Sequence, residues 1–343
     1  MKKRENRDVL ADYIPSLFIV ATPFQALCAI EAIETMAIGD YQFVACVFGD
    51  IRDKQLFSFL DERKINYIVF NFSGRKYYSL CLYPFIRRQA TKYHRAFLGD
   101  PENCFQRHVA YMMLSKDSNI AFLDDGTKNI PLLKGYKRNN NKYAFIELLI
   151  RKFCCINLSN SFFTLYSDVA IPKFNCRKNK FLHIVKRHQK SEKKGIYFIG
   201  TNSTVYCKKL GISLESYFKS LRLQLEFIMA HNNQPIYFIP HGRDINEETK
   251  TICEQLKINY IPVNKTVELY IIDAEYSPYA IYAHTSTALF NLKLLYQDTD
   301  VYNIFCVDNT NGKYYQDYLM YSDYFEKHGI PKITNMYELL QVD

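Results

Sequence analysis

The chain reads as an α/β protein built from two parallel-sheet domains, and three observations predict this. Short apolar runs alternate with segments of helical period from the first run at 17–21 to the last at 301–306. The alternation breaks at 176–194, a stretch dense in Lys and Arg, and resumes at 195. Four polar signatures are set among the apolar runs: Phe122-Leu-Asp-Asp-Gly-Thr127, Tyr237-Phe-Ile-Pro-His-Gly-Arg-Asp244, Val267-Glu-Leu-Tyr270 and Ala283-His-Thr-Ser-Thr-Ala-Leu289. Open α/β sheets keep their ligands at the carboxyl ends of their strands.

After a polar leader at 1–13, the first strand is expected at 17–21. Thr22 can cap the helix that follows and Pro23 suits its first turn. Further strands are expected at 43–48, 67–70, 96–98 and 120–123, with helices near 52–64, 78–93 and 104–114. The polar segment 134–143, with Asn139-Asn-Asn141 at its centre, reads as a loop, and a helix is expected at 144–153. The second series has strands at 195–199, 235–239, 259–262, 280–283 and 301–306. Helices near 214–230, 246–257, 266–273 and 286–295 join them. The expected domains are therefore 14–175 and 195–343, joined by a charged linker at 176–194.

The 343 residues suffice for two ordinary domains, and 48% hydrophobic with 23% charged is a globular composition. No apolar run approaches the roughly 20 residues that span a bilayer, and the start has no signal-peptide layout. A cytoplasmic protein is expected. The ten cysteines are scattered, with no Cys-x-x-Cys, so free thiols are expected rather than disulfides or zinc. The formal charge of +9 suits an anionic membrane surface or an acidic substrate. No nucleic-acid motif accompanies it, and neither a P-loop nor a dinucleotide fingerprint is present. Asp298-Thr-Asp300 precedes a strand and reads as a turn, so no metal is expected.

In Asp124-Asp125-Gly126 the glycine can turn the backbone and leave a carboxylate facing a cleft, where it could take a proton from an attacking hydroxyl. An ordinary strand-end turn with solvated aspartates fits the tripeptide equally well. His241, before Gly242 and Arg243, can donate to a phosphate, or sit as an ordinary loop residue. Thr285 and Ser286 stand at a helix start, where hydroxyls and unpaired N–H groups bind phosphate or simply cap the helix. Glu268 can accept from ribose hydroxyls, or serve the dipole of a surface helix.

The order of these motifs resembles that of the bacterial sialyltransferases. Ala21-Thr-Pro-Phe-Gln-Ala26 and Phe97-Leu-Gly-Asp100 resemble glycosyltransferase family 52 in particular, which includes lipooligosaccharide and capsule sialyltransferases. The resemblance implies a GT-B fold, two facing Rossmann-like domains, with CMP-sialic acid held by the second domain without a cofactor or metal. It implies Asp124 as the general base and Asp125 as a residue that orients the loop or the acceptor. It implies His241 beside the donor phosphate, Glu268 on the cytidine ribose, and Thr285 with Ser286 on the phosphate. Gly242 departs from the usual His-Pro pair. The implied activity is inverting transfer of sialic acid to a galactoside hydroxyl of a surface glycan. Alternatives are another donor, such as CMP-Kdo or a hexose nucleotide, or an inactive carbohydrate-binding protein of the same fold. The expected partners are a nucleotide-sugar donor and a glycan acceptor. Peripheral contact with the inner membrane and a homodimer remain open.

Overall fold

The computed structural model describes residues 15–73, 93–136, 156–188, 190–244, 246–305 and 314–334, with 149, 152 and 312 singly. The leader at 1–13 and nearly all of the helix expected at 78–93 lie outside these residues, as do most of the loop at 134–143 and the helix at 144–153. The chain divides into two compact units, Met1–His183 and Ile184–Asp343.

The first unit is built on seven parallel strands in the order β3-β2-β1-β4-β5-β6-β7. They run β1 Ser16–Val20, β2 Tyr41–Val47, β3 Tyr67–Asn71, β4 Tyr93–Leu98, β5 Leu114–Phe122, β6 Asn157–Thr164 and β7 Asn175–Lys178. Strand β1 is wholly buried, as a central parallel strand covered on both faces must be. Phe18 stacks on Phe43 of β2 at 5.6 Å and on Phe97 of β4 at 4.8 Å, so three neighbouring strands share one aromatic layer. Helix α1, Pro23–Thr35, starts as expected: the Thr22 hydroxyl accepts from Gln25 N–H and Pro23 occupies the first turn. Helix α2, Ile51–Glu62, starts at a capping box in which Asp53 accepts from the N–H groups of Phe48, Gly49 and Asp50.

The stretch 176–194, expected as a linker, is not one throughout. It carries most of β7, the edge strand of the first sheet, and a short helix, Leu182–Arg187. An edge strand buries little and tolerates charge, so Asn-Cys-Arg-Lys leaves no apolar signal. Phe181 is fully buried edge-on to Phe24, and Glu31 accepts from His183 N–H at 3.1 Å.

The second unit has six parallel strands in the order β10-β9-β8-β11-β12-β13. These are β8 Ile196–Ile199, β9 Ile236–Ile239, β10 Asn259–Tyr260, β11 Ala280–Ala283, β12 Asp300–Ile304 and β13 Lys332–Ile333. Central β8 and β11 are buried throughout. Phe198 stacks on Phe238 at 5.3 Å, in a core closed by Leu221 and Leu225 of the helix Leu214–Ala230. No described helix is long and apolar enough to cross a membrane.

Each sheet has one point where the connections reverse direction: between β1 and β4 in the first, and between β8 and β11 in the second. A crevice opens outside the carboxyl ends of the strands at such a point.

Candidate active site

In the first unit, every segment around the reversal contributes to one pocket of about 340 Å³. Ala21, Thr22 and Gln25 come from the β1–α1 turn, and Phe48 and Arg52 from the β2–α2 turn. Asp100 and Glu102 to Phe105 follow β4, and Asp125 and Lys128 follow β5.

Asp124 and Asp125 part company at the end of β5. Asp124 is fully buried. Its Oδ1 accepts from Thr164 Oγ1 at 2.6 Å and Asn129 Nδ2 at 2.8 Å, and its Oδ2 from Leu165 N–H at 2.7 Å. Burial pushes its carboxyl up to about 7, against the three donors that favour the ionised form. Asp124, expected as the base, is buried in this structure, with its oxygens tying the turn to the end of β6. Gly126, at φ 75°, turns the chain, as the tripeptide required. Asp125, expected only to orient the loop, is the carboxylate that lines the pocket, with 16% of its side chain exposed.

Asp125 Oδ1 accepts from Gln25 Nε2 at 2.7 Å, and Oδ2 from Lys128 Nζ at 2.5 Å. Lys128 also reaches Asp100 at 3.4 Å, and Arg52 is paired with Asp50. Burial raises the proton affinity of Asp125 and the charge of Asp100 raises it further; Lys128 and Gln25 oppose them. Each carboxylate oxygen keeps a lone pair for a further hydrogen bond. Phe48 and Phe105 meet edge-on at 5.3 Å, and Phe72 packs against both at 5.8 and 5.0 Å, forming an aromatic wall to the pocket.

Gln25, Gln106, Asp100 and Lys128 had no role assigned from sequence. Gln25 and Asp100 lie within the two segments that carry the family resemblance, which is the signal that could have found them. Gln106 and Lys128 had none.

In the second unit the expected residues follow three strands of one sheet: His241 comes after β9, Glu268 after β10, and Thr285 with Ser286 after β11. His241 stands two residues beyond β9. Arg243 N–H donates to its Nδ1 at 3.1 Å, so the proton of the neutral ring lies on Nε2. Burial and then Arg243 lower its proton affinity, so the ring is neutral near pH 7. The loop is pinned to the helix Ser203–Leu210: Asn202 Nδ2 donates to Arg243 O at 2.7 Å, and Ser203 Oγ to Asp244 at 2.8 Å. Asp244 is thus engaged by Ser203, and Arg243 is exposed.

Ser286 caps the helix Thr287–Leu295, accepting from Ala288 N–H, and is half-buried. Thr285 is buried at φ 36°, strained for a β-branched residue; its N–H donates to Asn303 and its hydroxyl has no partner. Of the expected hydroxyl pair, only Ser286 is accessible. Glu268 is buried, with Oε1 accepting from Asn291 at 2.9 Å, and burial raises its proton affinity. His284, next to the hydroxyls in sequence, belongs to the core. Its ring lies among Phe198, Tyr206 and Tyr217, its Nε2 is 2.9 Å from Gln224 Oε1, and burial lowers it to about 4.

No protein-family model matches the chain, and no curated protein sequence matches it. Solved structures do. The 2,6-sialyltransferase of Photobacterium sp. JT-ISH-224, in a ternary complex with the donor product CMP and the acceptor lactose, is 12% identical, with a TM-score of 0.50 over 93% of this chain and 78% of that one. The GT-B domain of the Photobacterium damselae sialyltransferase is 11% identical, with a TM-score of 0.49 over 89% of this chain and 96% of that one. The fold class is GT-B. At such identity the likeness is one of fold, and the chemistry has to be argued from the residues.

Proposed function

We propose that the protein is an inverting glycosyltransferase that moves sialic acid from CMP-sialic acid to a hydroxyl of a neutral galactoside, with Asp125 as the base. The observation that carries this reading is a poised carboxylate, held by two donors, in a pocket at the reversal point of the first sheet. The fold is one that a sialyltransferase with CMP and lactose bound also uses.

In the proposed step the acceptor hydroxyl attacks the anomeric carbon and gives its proton to Asp125. The bond from that carbon to the phosphate oxygen breaks, and CMP leaves with the electron pair. Attack from the side opposite the leaving group inverts the centre. His241 Nε2–H and the Ser286 hydroxyl would donate to the leaving phosphate, and Glu268 would accept from the ribose. Donors placed where charge develops lower the barrier without a metal. A neutral acceptor is favoured because both cations of the pocket, Arg52 and Lys128, are already paired with carboxylates. The wall of Phe48 and Phe105 suits the apolar face of a hexose. The motif resemblance and the +9 charge favour an acceptor on a surface glycolipid or capsule, met at an anionic membrane.

The test is incubation with CMP-sialic acid and lactose, with and without a chelator. Equal CMP release in both, accompanied by a sialyl-lactose of inverted configuration, is expected. Turnover with CMP-Kdo or a hexose nucleotide instead would reassign the donor. Turnover with none of them would mean a binding protein.

A further inference from the structure

We propose that Gln25 and Gln106 are positioning residues: a one-way relay of two buried amides that runs from the Asp100 backbone N–H and aims a fixed donor at Asp125. The inference concerns the base of the transferase reading and rests on that reading for its kinetic consequences.

The direction of the relay is forced by groups that can only donate. Asp100 N–H lies 2.9 Å from one terminal atom of Gln106, which must therefore be Oε1. Its other terminal atom, Nε2, then donates to Gln25 Oε1 at 2.9 Å. Ala21 N–H reaches the same Gln25 oxygen at 2.8 Å, a second backbone donor that fixes the same orientation independently. Gln25 Nε2 is left facing Asp125 Oδ1 at 2.7 Å. Flipping either amide would set a donor against a donor and an acceptor against an acceptor. Gln25 is 2% and Gln106 0% exposed, so no water would repair the mismatch.

The surrounding sequence makes room for this arrangement. A Cβ on Gly99 would fall 2.2 Å from Gln25 Oε1, so the bare glycine after β4 is the space the amide fills. Thr22 and Pro23 start helix α1 one turn before Gln25 and set its direction. A glutamine supplies a donor without a charge, which holds a carboxylate in place and favours its proton-accepting form. A lysine in that place would depress its basicity far more. Lys128, half exposed on the other oxygen, can move aside, whereas Gln25 cannot.

The test is the ¹³C titration of the Asp125 carboxyl in the intact protein, alongside the pH profile of kcat. Gln25→Met keeps the volume and removes the donor. The Asp125 midpoint and the acid limb of kcat should both rise by roughly one to two pH units, the value of a hydrogen bond to a charge. The KM for the donor should not move. Gln106→Met, which touches neither Asp125 nor the pocket and adds no charge, should raise the midpoint too, by less, because it leaves Ala21 N–H alone to hold the Gln25 amide. It carries the test if Gln25→Met does not fold. In the wild type, the Gln25 side-chain N–H resonance should titrate with the Asp125 midpoint and exchange slowly. A merely structural role would lower stability and leave the midpoints where they are. Unchanged midpoints in a folded variant overturn the relay. Shifted ¹³C midpoints in a protein that turns over no CMP-sialic acid would keep the relay and sink the transferase reading.

Discussion

Asp124 and Asp125 differ by one backbone step and by nearly all of their surroundings. Three donors converge on the Asp124 carboxylate in a site without solvent. Asparagine offers one acceptor and one donor there, so Asp124→Asn sets an N–H against a donor. A loss of about 1–3 kcal/mol in urea unfolding is expected. The pH dependence has a definite sign. The folded-state value, about 7, lies above the ordinary aspartate value of 3.8, so the proton adds stability that is complete below about 4 and is lost as pH rises through about 7. The stability gap between wild type and Asp124→Asn should therefore narrow from pH 4 to pH 7. A gap independent of pH would show that Asp124 does not titrate in that window. Spacing alone leaves the two aspartates equivalent; burial, which tells them apart, is set by β6 and the helix Asn129–Leu133, forty and five residues away.

The elements that matter most are the strand-to-helix turns at the reversal points. After β11, Thr285 is held at φ 36° with its hydroxyl buried and unpartnered, one step before the Ser286 cap. Backbone strain of this kind is kept where the surrounding structure and a function require it. Thr285→Gly relieves the strain and removes the orphaned hydroxyl. It should raise stability by about 1 kcal/mol in urea unfolding and weaken CMP binding in calorimetry. A variant that is less stable than wild type would mean the turn is not strained. The apolar runs made most of these elements legible: β8, β9 and β11, the helix Leu214–Ala230 and the Thr22-Pro23 helix start all lie close to where their residues place them. Strands β6 and β7 were not, because Asn157–Thr164 is largely polar and Asn175–Lys178 is a half-exposed edge.

At the scale of the whole molecule, two parallel sheets in the GT-B class bring chemistry to their carboxyl edges. The sequence pointed to those edges through its motifs, and the residues it singled out do follow β5, β9, β10 and β11. The amide relay behind Asp125 was not legible, since it joins residues 81 and 100 positions apart through hydrogen bonds that no local pattern announces. The proposed transferase reading places the proton transfer on Asp125, the carboxylate that lines the pocket. The most direct measurement is the steady-state turnover of Asp125→Asn and Asp124→Asn with CMP-sialic acid and lactose, alongside their affinity for CMP. Asp125→Asn should lose about 10²–10⁴-fold in kcat and keep its CMP affinity, while folded Asp124→Asn retains the greater part of its turnover. Near-native turnover in Asp125→Asn, with Asp124→Asn folded but dead, would contradict the assignment.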